Sequence, residues 1–205
     1  MAEPITTLTD YAIALECLLL ASLLFVQGGV QRLWAAAFGS VSGVALLGGL
    51  YHGFGDQLSL LQRIWLWQGM GIAVAIASFF TLVAAAVPLR REVRWTLLAL
   101  ATAKLVGAIA VGFTLWGFAL RVTNYLSALI IVLLVQWLQR HRHPGAPVWL
   151  LGAIALSGLG AVGLLIPWPG VSPLVVYHLV QMVALFCIYR SVAATGQARS
   201  VRGLG

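Results

Sequence analysis

The stretch IWLWQGMGIAVAIASFFTLVAAAV, residues 64–87, followed at once by PLRREVR, residues 88–94, decides the fold. The first part holds no Asp, Glu, Lys or Arg. As a helix rising about 1.5 Å per residue it covers the roughly 30 Å of a bilayer's hydrocarbon core. The second part brings three arginines at the point where such a helix would leave the membrane. Apolar runs of similar length recur along the whole chain. Spans are expected at about 9–28, 34–54, 64–87, 95–116, 124–139, 148–167 and 173–193. The hydrophobic fraction is 61% and charged residues are 8%, against about a quarter charged in soluble domains. The fold class is therefore all-α, a polytopic seven-helix transmembrane bundle filling residues 1–194. Residues 195–205 read as a flexible cytoplasmic tail. No series of short alternating segments suggests a β-barrel.

The arginines set an expected orientation. Arg32, Arg90, Arg91, Arg94, Arg140, Arg142, Arg190, Arg199 and Arg202 all fall on one side of such a bundle, and only Arg63 and Arg121 on the other. By the positive-inside rule the N-terminus is outside and the C-terminus cytoplasmic, as in a bacterial inner membrane. Tryptophans agree. Trp34, Trp95, Trp137 and Trp149 fall at the inner ends of spans, and Trp65, Trp67, Trp116 and Trp168 at the outer ends, where aromatic belts lie. The net charge of +7 sits in short loops and points to membrane lipids, not nucleic acid, as the partner. Oligomeric state is left open. Cys17 and Cys187 fall at different depths and read as apolar packing residues. The opening MAEPITTLTDYA lacks a basic segment and a small-residue cleavage site, so no cleavable signal is expected. Gly39/Gly43 and Gly49/Gly53 in the second span, and Gly152, Gly158, Gly160 and Gly163 in the sixth, are expected to let helices pack closely.

Two histidines lie within apolar stretches, His52 and His178, each preceded by a tyrosine (Tyr51, Tyr177). The topology places both near the outer face. Ionisable groups at such depths mark functional sites. Asp56 follows His52 by four residues and shares its face if the helix continues; Gly53 and Gly55 can instead end the helix first. Gln181 shares the face of His178. Asp10 and Tyr11 mark the outer mouth of span one, and Glu16 lies about two turns deeper. Gln62 and Gln68 open span three; Asn124 and Ser127 open span five. These groups suggest a polar chamber open to the outside. Structural readings compete with it. Asp10 can favour the helix dipole, and Glu16 can pair with Lys104, midway along span four, unless Lys104 snorkels. His141 and His143 read as solvated or headgroup-contacting loop residues.

Two imidazoles and a carboxylate fit a zinc set with one position left for water. On this reading His52 and His178 bind zinc. Asp56 is third ligand or base, and Glu16 positions water or the second shell. Tyr51, Tyr177, Gln181, Gln68 and Asp10 contact a substrate.

The layout resembles the seven-helix hydrolase superfamily of alkaline ceramidases and adiponectin/progestin receptors. There an acid in span one, a histidine in span two, an aspartate further on and a His-x-x-x-His pair in span seven hold zinc for hydrolysis of a lipid amide or ester. Glu16, His52 and His178 match that pattern. Met182 stands where the family has its second histidine, Gly48 where it has a serine, and Asp56 lies closer to His52 than the family's aspartate. The resemblance implies a zinc-dependent hydrolase of a membrane lipid. Two other classes use the same residues. One is a non-enzymatic transporter or lipid- or small-molecule-binding protein, although no internal repeat is visible. The other is a redox protein, with the histidines as haem ligands or with a quinone at Tyr177 and His178. A retinal protein is not expected, since span seven has no lysine to tether retinal.

Overall fold

The computed structural model describes residues 3–111 and 117–202, and all of its regular structure is helical. The helices are α1 (Pro4–Phe25), α2 (Gln31–Phe54), α3 (Leu60–Ala86), α4 (Arg91–Val111), α5 (Gly117–Leu138), α6 (Ala146–Gly163) and α7 (Pro173–Arg202). A short 3-10 turn, Gly55–Gln57, joins α2 to α3. All seven helices are long and apolar enough to cross a membrane. Trp116, read from sequence as an outer belt residue, lies outside the described residues. So do the side chains of Arg199 and Arg202.

Local chemistry sets several helix ends. Pro4 opens α1, where a missing N–H costs nothing. Ser59 caps α3 in a reciprocal box: its backbone N–H donates to Gln62 Oε1 at 2.9 Å, and the Gln62 N–H donates to Ser59 Oγ at 3.3 Å. Gln62 is exposed and busy with this cap, so it is not a lining residue of an outer chamber. Gly28 and Gly29 carry φ of 74° and 56°, left-handed values that let the chain reverse between α1 and α2.

Neighbours in the chain are mostly neighbours in space. α1 packs on α2 and α7, α2 on α3, α3 on α4 and α5, and α6 on α7. Little of α4 is covered; it lies at the edge, against α3. The main core joins Ile13, Leu20 and Leu24 of α1 and Phe38 of α2 with Leu129 and Val132 of α5, Leu150 of α6, and Leu185 and Ile188 of α7. Cys17 and Cys187 are unpaired and belong to this core. Trp34 is buried there too, an exception to the belt pattern, because its indole fills the space between helices. Trp65, Trp95 and Trp137 are exposed as a belt requires. Arg140 stacks on Trp137, and Arg190 on Trp149, which joins cation to aromatic at the end opposite the start of α1.

The glycines divide sharply. A Cβ on Gly49 would meet the Tyr11 ring at 2.5 Å, and one on Gly53 would meet Thr7 at 3.1 Å. This pair seats α1 on α2. Gly39, Gly43, Gly152, Gly158 and Gly163 have nothing within 4 Å, so they are not close-packing contacts. In α6, Gly160 alone receives a neighbour, the Tyr177 ring at 3.3 Å.

Candidate functional site

The polar side chains gather at the end of the bundle where α1 begins. Asp10 and His178 are both buried, at 5% and 6% exposure. His178 Nε2 stands 3.5 Å from Asp10 Oδ1, and His178 Nδ1 stands 2.8 Å from Thr9 Oγ1. Thr9 Oγ1 also donates to the Thr6 carbonyl at 2.8 Å. A hydroxyl has one proton. Committed to a carbonyl that has none of its own, it leaves Oγ1 to accept from Nδ1–H. Nε2 then faces the carboxyl, and a proton taken up between them is held as imidazole beside a carboxylic acid or as imidazolium beside a carboxylate.

Asp10 stands in the second turn of α1, because the helix starts at Pro4 and not near residue 9. It is too deep for a first-turn dipole role. Its carboxyl lies over the bare backbone of Gly48. A Cβ there would meet Oδ1 at 2.9 Å and Cγ at 3.2 Å. Oδ2 is buried and has no hydrogen-bond partner.

His52 lies at the mouth. Its Nδ1 stands 3.4 Å from Glu3 Oε2, with both side chains partly exposed. The Glu3 N–H donates to the His52 carbonyl at 3.3 Å, which ties the start of α1 to the end of α2. Tyr51 lies edge-on to His52 and tilted against Trp67. Tyr177 adjoins His178. Gln181 is half-buried, one turn further along α7. Asp56 falls on the 3-10 turn after α2 has ended, and is exposed. It does not share a helical face with His52.

Glu16 lies two turns beyond Thr9, half-buried, with a buried and unpartnered Oε2. Lys104 does not pair with it. The ammonium donates to the Asn124 carbonyl at 3.0 Å and to Ser127 Oγ at 2.6 Å. The Asn124 carbonyl and the Ser127 hydroxyl therefore serve the α4–α5 contact, while the Asn124 amide nitrogen is buried without a hydrogen-bond partner.

Gln68 is committed as well, to a residue that sequence reading placed at the outer edge of span five. Arg121 lies inside α5, buried at 8% exposure. It donates to Gln68 Oε1 at 2.9 Å and to the Trp67 carbonyl at 2.8 Å, and it stacks on the Trp67 ring. Gly71 makes room for it; a Cβ there would collide with the guanidinium. Thr9, Glu3 and Arg121 are the participants that sequence reading missed. Thr9 carried a signal, as the hydroxyl adjoining a deep acid. The seat at Gly71 carried none.

Among the described residues no three His, Cys, Asp or Glu side chains gather as a metal-holding group. His52 faces Glu3, His178 faces Thr9 and Asp10, and Asp56 stands apart.

Neither a curated protein nor a solved structure matches this chain. One family model does, over residues 5–197, nearly the whole bundle. The chain belongs to DUF6962, a family of unknown function.

Proposed function

We propose that this is an integral membrane protein of the binding or transport class, which takes up a proton from the outer face at the Asp10–His178 pair. The N-terminus is outside and the C-terminus cytoplasmic, in a bacterial inner membrane. One observation carries the reading: a hydroxyl, an imidazole and a carboxyl in succession, Thr9–His178–Asp10, with the imidazole and the carboxyl buried between helices long and apolar enough to cross a membrane. Intramembrane Asp, Glu and His chains are how proton relays are built. Three of the chain's five acids, Glu3, Asp10 and Glu16, descend along α1, about 9–10 Å apart at 1.5 Å per residue. His52 stands beside the first and His178 beside the second. The series runs from the partly exposed mouth into the bundle.

The resemblance to zinc-dependent lipid hydrolases asks the same histidines to converge on one ion. Here each histidine stands beside a carboxyl of its own, His52 by Glu3 and His178 by Asp10. The test is an infrared difference spectrum of the purified protein between low and high pH. A protonated-carboxyl band lost in Asp10→Asn and shifted in His178→Gln is expected. A spectrum unchanged by Asp10→Asn would sink the reading. About one zinc per chain, lost in His52→Ala, would restore the hydrolase.

A further inference from the structure

We infer that the Asp10 seat takes a monovalent cation, and that the cation enters in exchange for the proton of the Asp10–His178 pair. The inference rests on the proton-binding reading above and names the ligand class of that same site. Its starting point is Oδ2 of Asp10. This oxygen is buried and unpartnered on a side chain only 7% exposed. Protein contacts leave it unsatisfied in either protonation state. A carboxylate oxygen buried without a donor is costly, and the missing partner is an N–H, an O–H or a cation.

The surrounding charge selects among these. The ionisable residues at this end are Glu3, Tyr11 and Glu16 on or beside α1, Tyr51 and His52 on α2, and Tyr177 and His178 on α7. None is a permanent cation. Two cations within the bundle are held elsewhere, half-buried Lys104 by α5 and buried Arg121 by α3. The field at Oδ2 is therefore set by carboxyls and by whatever charge the imidazoles carry. A positive ligand is favoured and an anion is not.

The exchange follows from Oδ1. When the pair is protonated, that atom shares the proton with Nε2, which stands 3.5 Å away. With a cation at Oδ2, the carboxylate is held ionised, and a second positive charge on the imidazole is opposed. The proton leaves to water, and His178 stays neutral with its Nδ1–H on Thr9. Charge balances: one cation in, one proton out. Gly48 fixes where this happens, because its bare backbone is the wall against which the carboxyl lies. It is a positioning residue.

The experiment adds sodium chloride to the purified protein in weakly buffered detergent, with choline chloride holding ionic strength. A pH dye reads proton release, and the infrared carboxyl band reads Asp10. Release of about one proton per chain, saturating with sodium and absent in Asp10→Asn, is expected. Lithium, potassium and methylammonium arms separate a metal cation from an organic ammonium. Gly48→Ala is expected to weaken the response about tenfold, the size of one lost charge-assisted contact. It removes no ionisable group. A folded Gly48→Ala protein with wild-type affinity would refute the seat; if that variant does not fold, Asp10→Glu tests the same geometry. No response to any of the four cations, with the Asp10 band intact, overturns the cation site and leaves the proton site standing. Loss of the Asp10 band itself removes both.

Discussion

Adding one methyl group at Gly71 should cost more stability than deleting the buried charge of Arg121. The guanidinium lies against the Gly71 backbone, and a Cβ there would overlap its Nε and Cζ and stand 2.7 Å from its second terminal nitrogen. In Gly71→Ala the guanidinium has to move by an ångström or more. It then loses the bonds to Gln68 Oε1 and the Trp67 carbonyl, now 2.9 Å and 2.8 Å long. Charged hydrogen bonds contribute about 1.5–3 kcal/mol each, and a buried charge deprived of its partners costs about 3–5 kcal/mol. Arg121→Met instead removes the charge along with its contacts. It leaves Gln68 with one unsatisfied oxygen, a loss of about 1–3 kcal/mol. The order is therefore wild type, then Arg121→Met, then Gly71→Ala. The double variant should be more stable than Gly71→Ala alone, because a methionine can yield to the new methyl. Equilibrium unfolding in a detergent titration reads all four proteins. The reasoning fails if Gly71→Ala is tolerated within about 1 kcal/mol, or if the second substitution gives no recovery.

Three further outcomes follow from the same contacts. Gly49→Ala should destabilise the α1–α2 contact by about 1–3 kcal/mol through overpacking against Tyr11, whereas Gly39→Ala, facing open space, should be neutral or gain up to about 1 kcal/mol in helix propensity; thermal unfolding of the two variants side by side decides it. Ser59→Ala should lose about 0.5–2 kcal/mol with the α3 cap, and hydrogen exchange should rise at the first turn of α3 while the core stays protected. Glu16→Gln and Lys104→Met should be additive in stability, since their partners are separate; a coupling above about 0.5 kcal/mol in the double variant would reveal a pair.

Much of the architecture was legible because it follows from sums over many residues. Seven helices emerge from seven apolar runs, and a few misplaced residues change none of them. The errors fell at the ends. Starting α1 near residue 9 left Asp10 at the mouth, while the helix begins at Pro4 and carries it inside. Starting α5 near 124, or a turn earlier, puts Arg121 at the outer edge of the span, while the helix begins at Gly117 and buries it against α3. Polar residues near span ends are ambiguous for a physical reason. Two turns of helix move a side chain about 11 Å, enough to change water for protein. Which polar groups meet was legible only in part. His178 and Asp10 were both singled out, but their pairing depends on helix rotation, and so do the separate commitments of Gln68 and Lys104.

Gly48 shows how one position reads differently in the chain and in the bundle. Against the hydrolase pattern it reads as a loss, a serine missing four residues before His52. In the bundle the position is occupied, by the carboxyl of Asp10 arriving from α1. A serine at this position would place its Cβ 2.9 Å from Asp10 Oδ1, and its hydroxyl would need still more room. The serine and the His178-facing carboxyl cannot both be there unless the carboxyl turns away or α1 shifts. The bare position and the buried acid are thus one feature: α2 presents only backbone at the depth where α1 brings in a carboxyl. Introducing the serine is expected to drive Asp10 off Nε2, seen as a changed imidazole nitrogen shift for His178. An unchanged shift in a folded Gly48→Ser protein would mean that Asp10 and His178 are held together by something other than this seat.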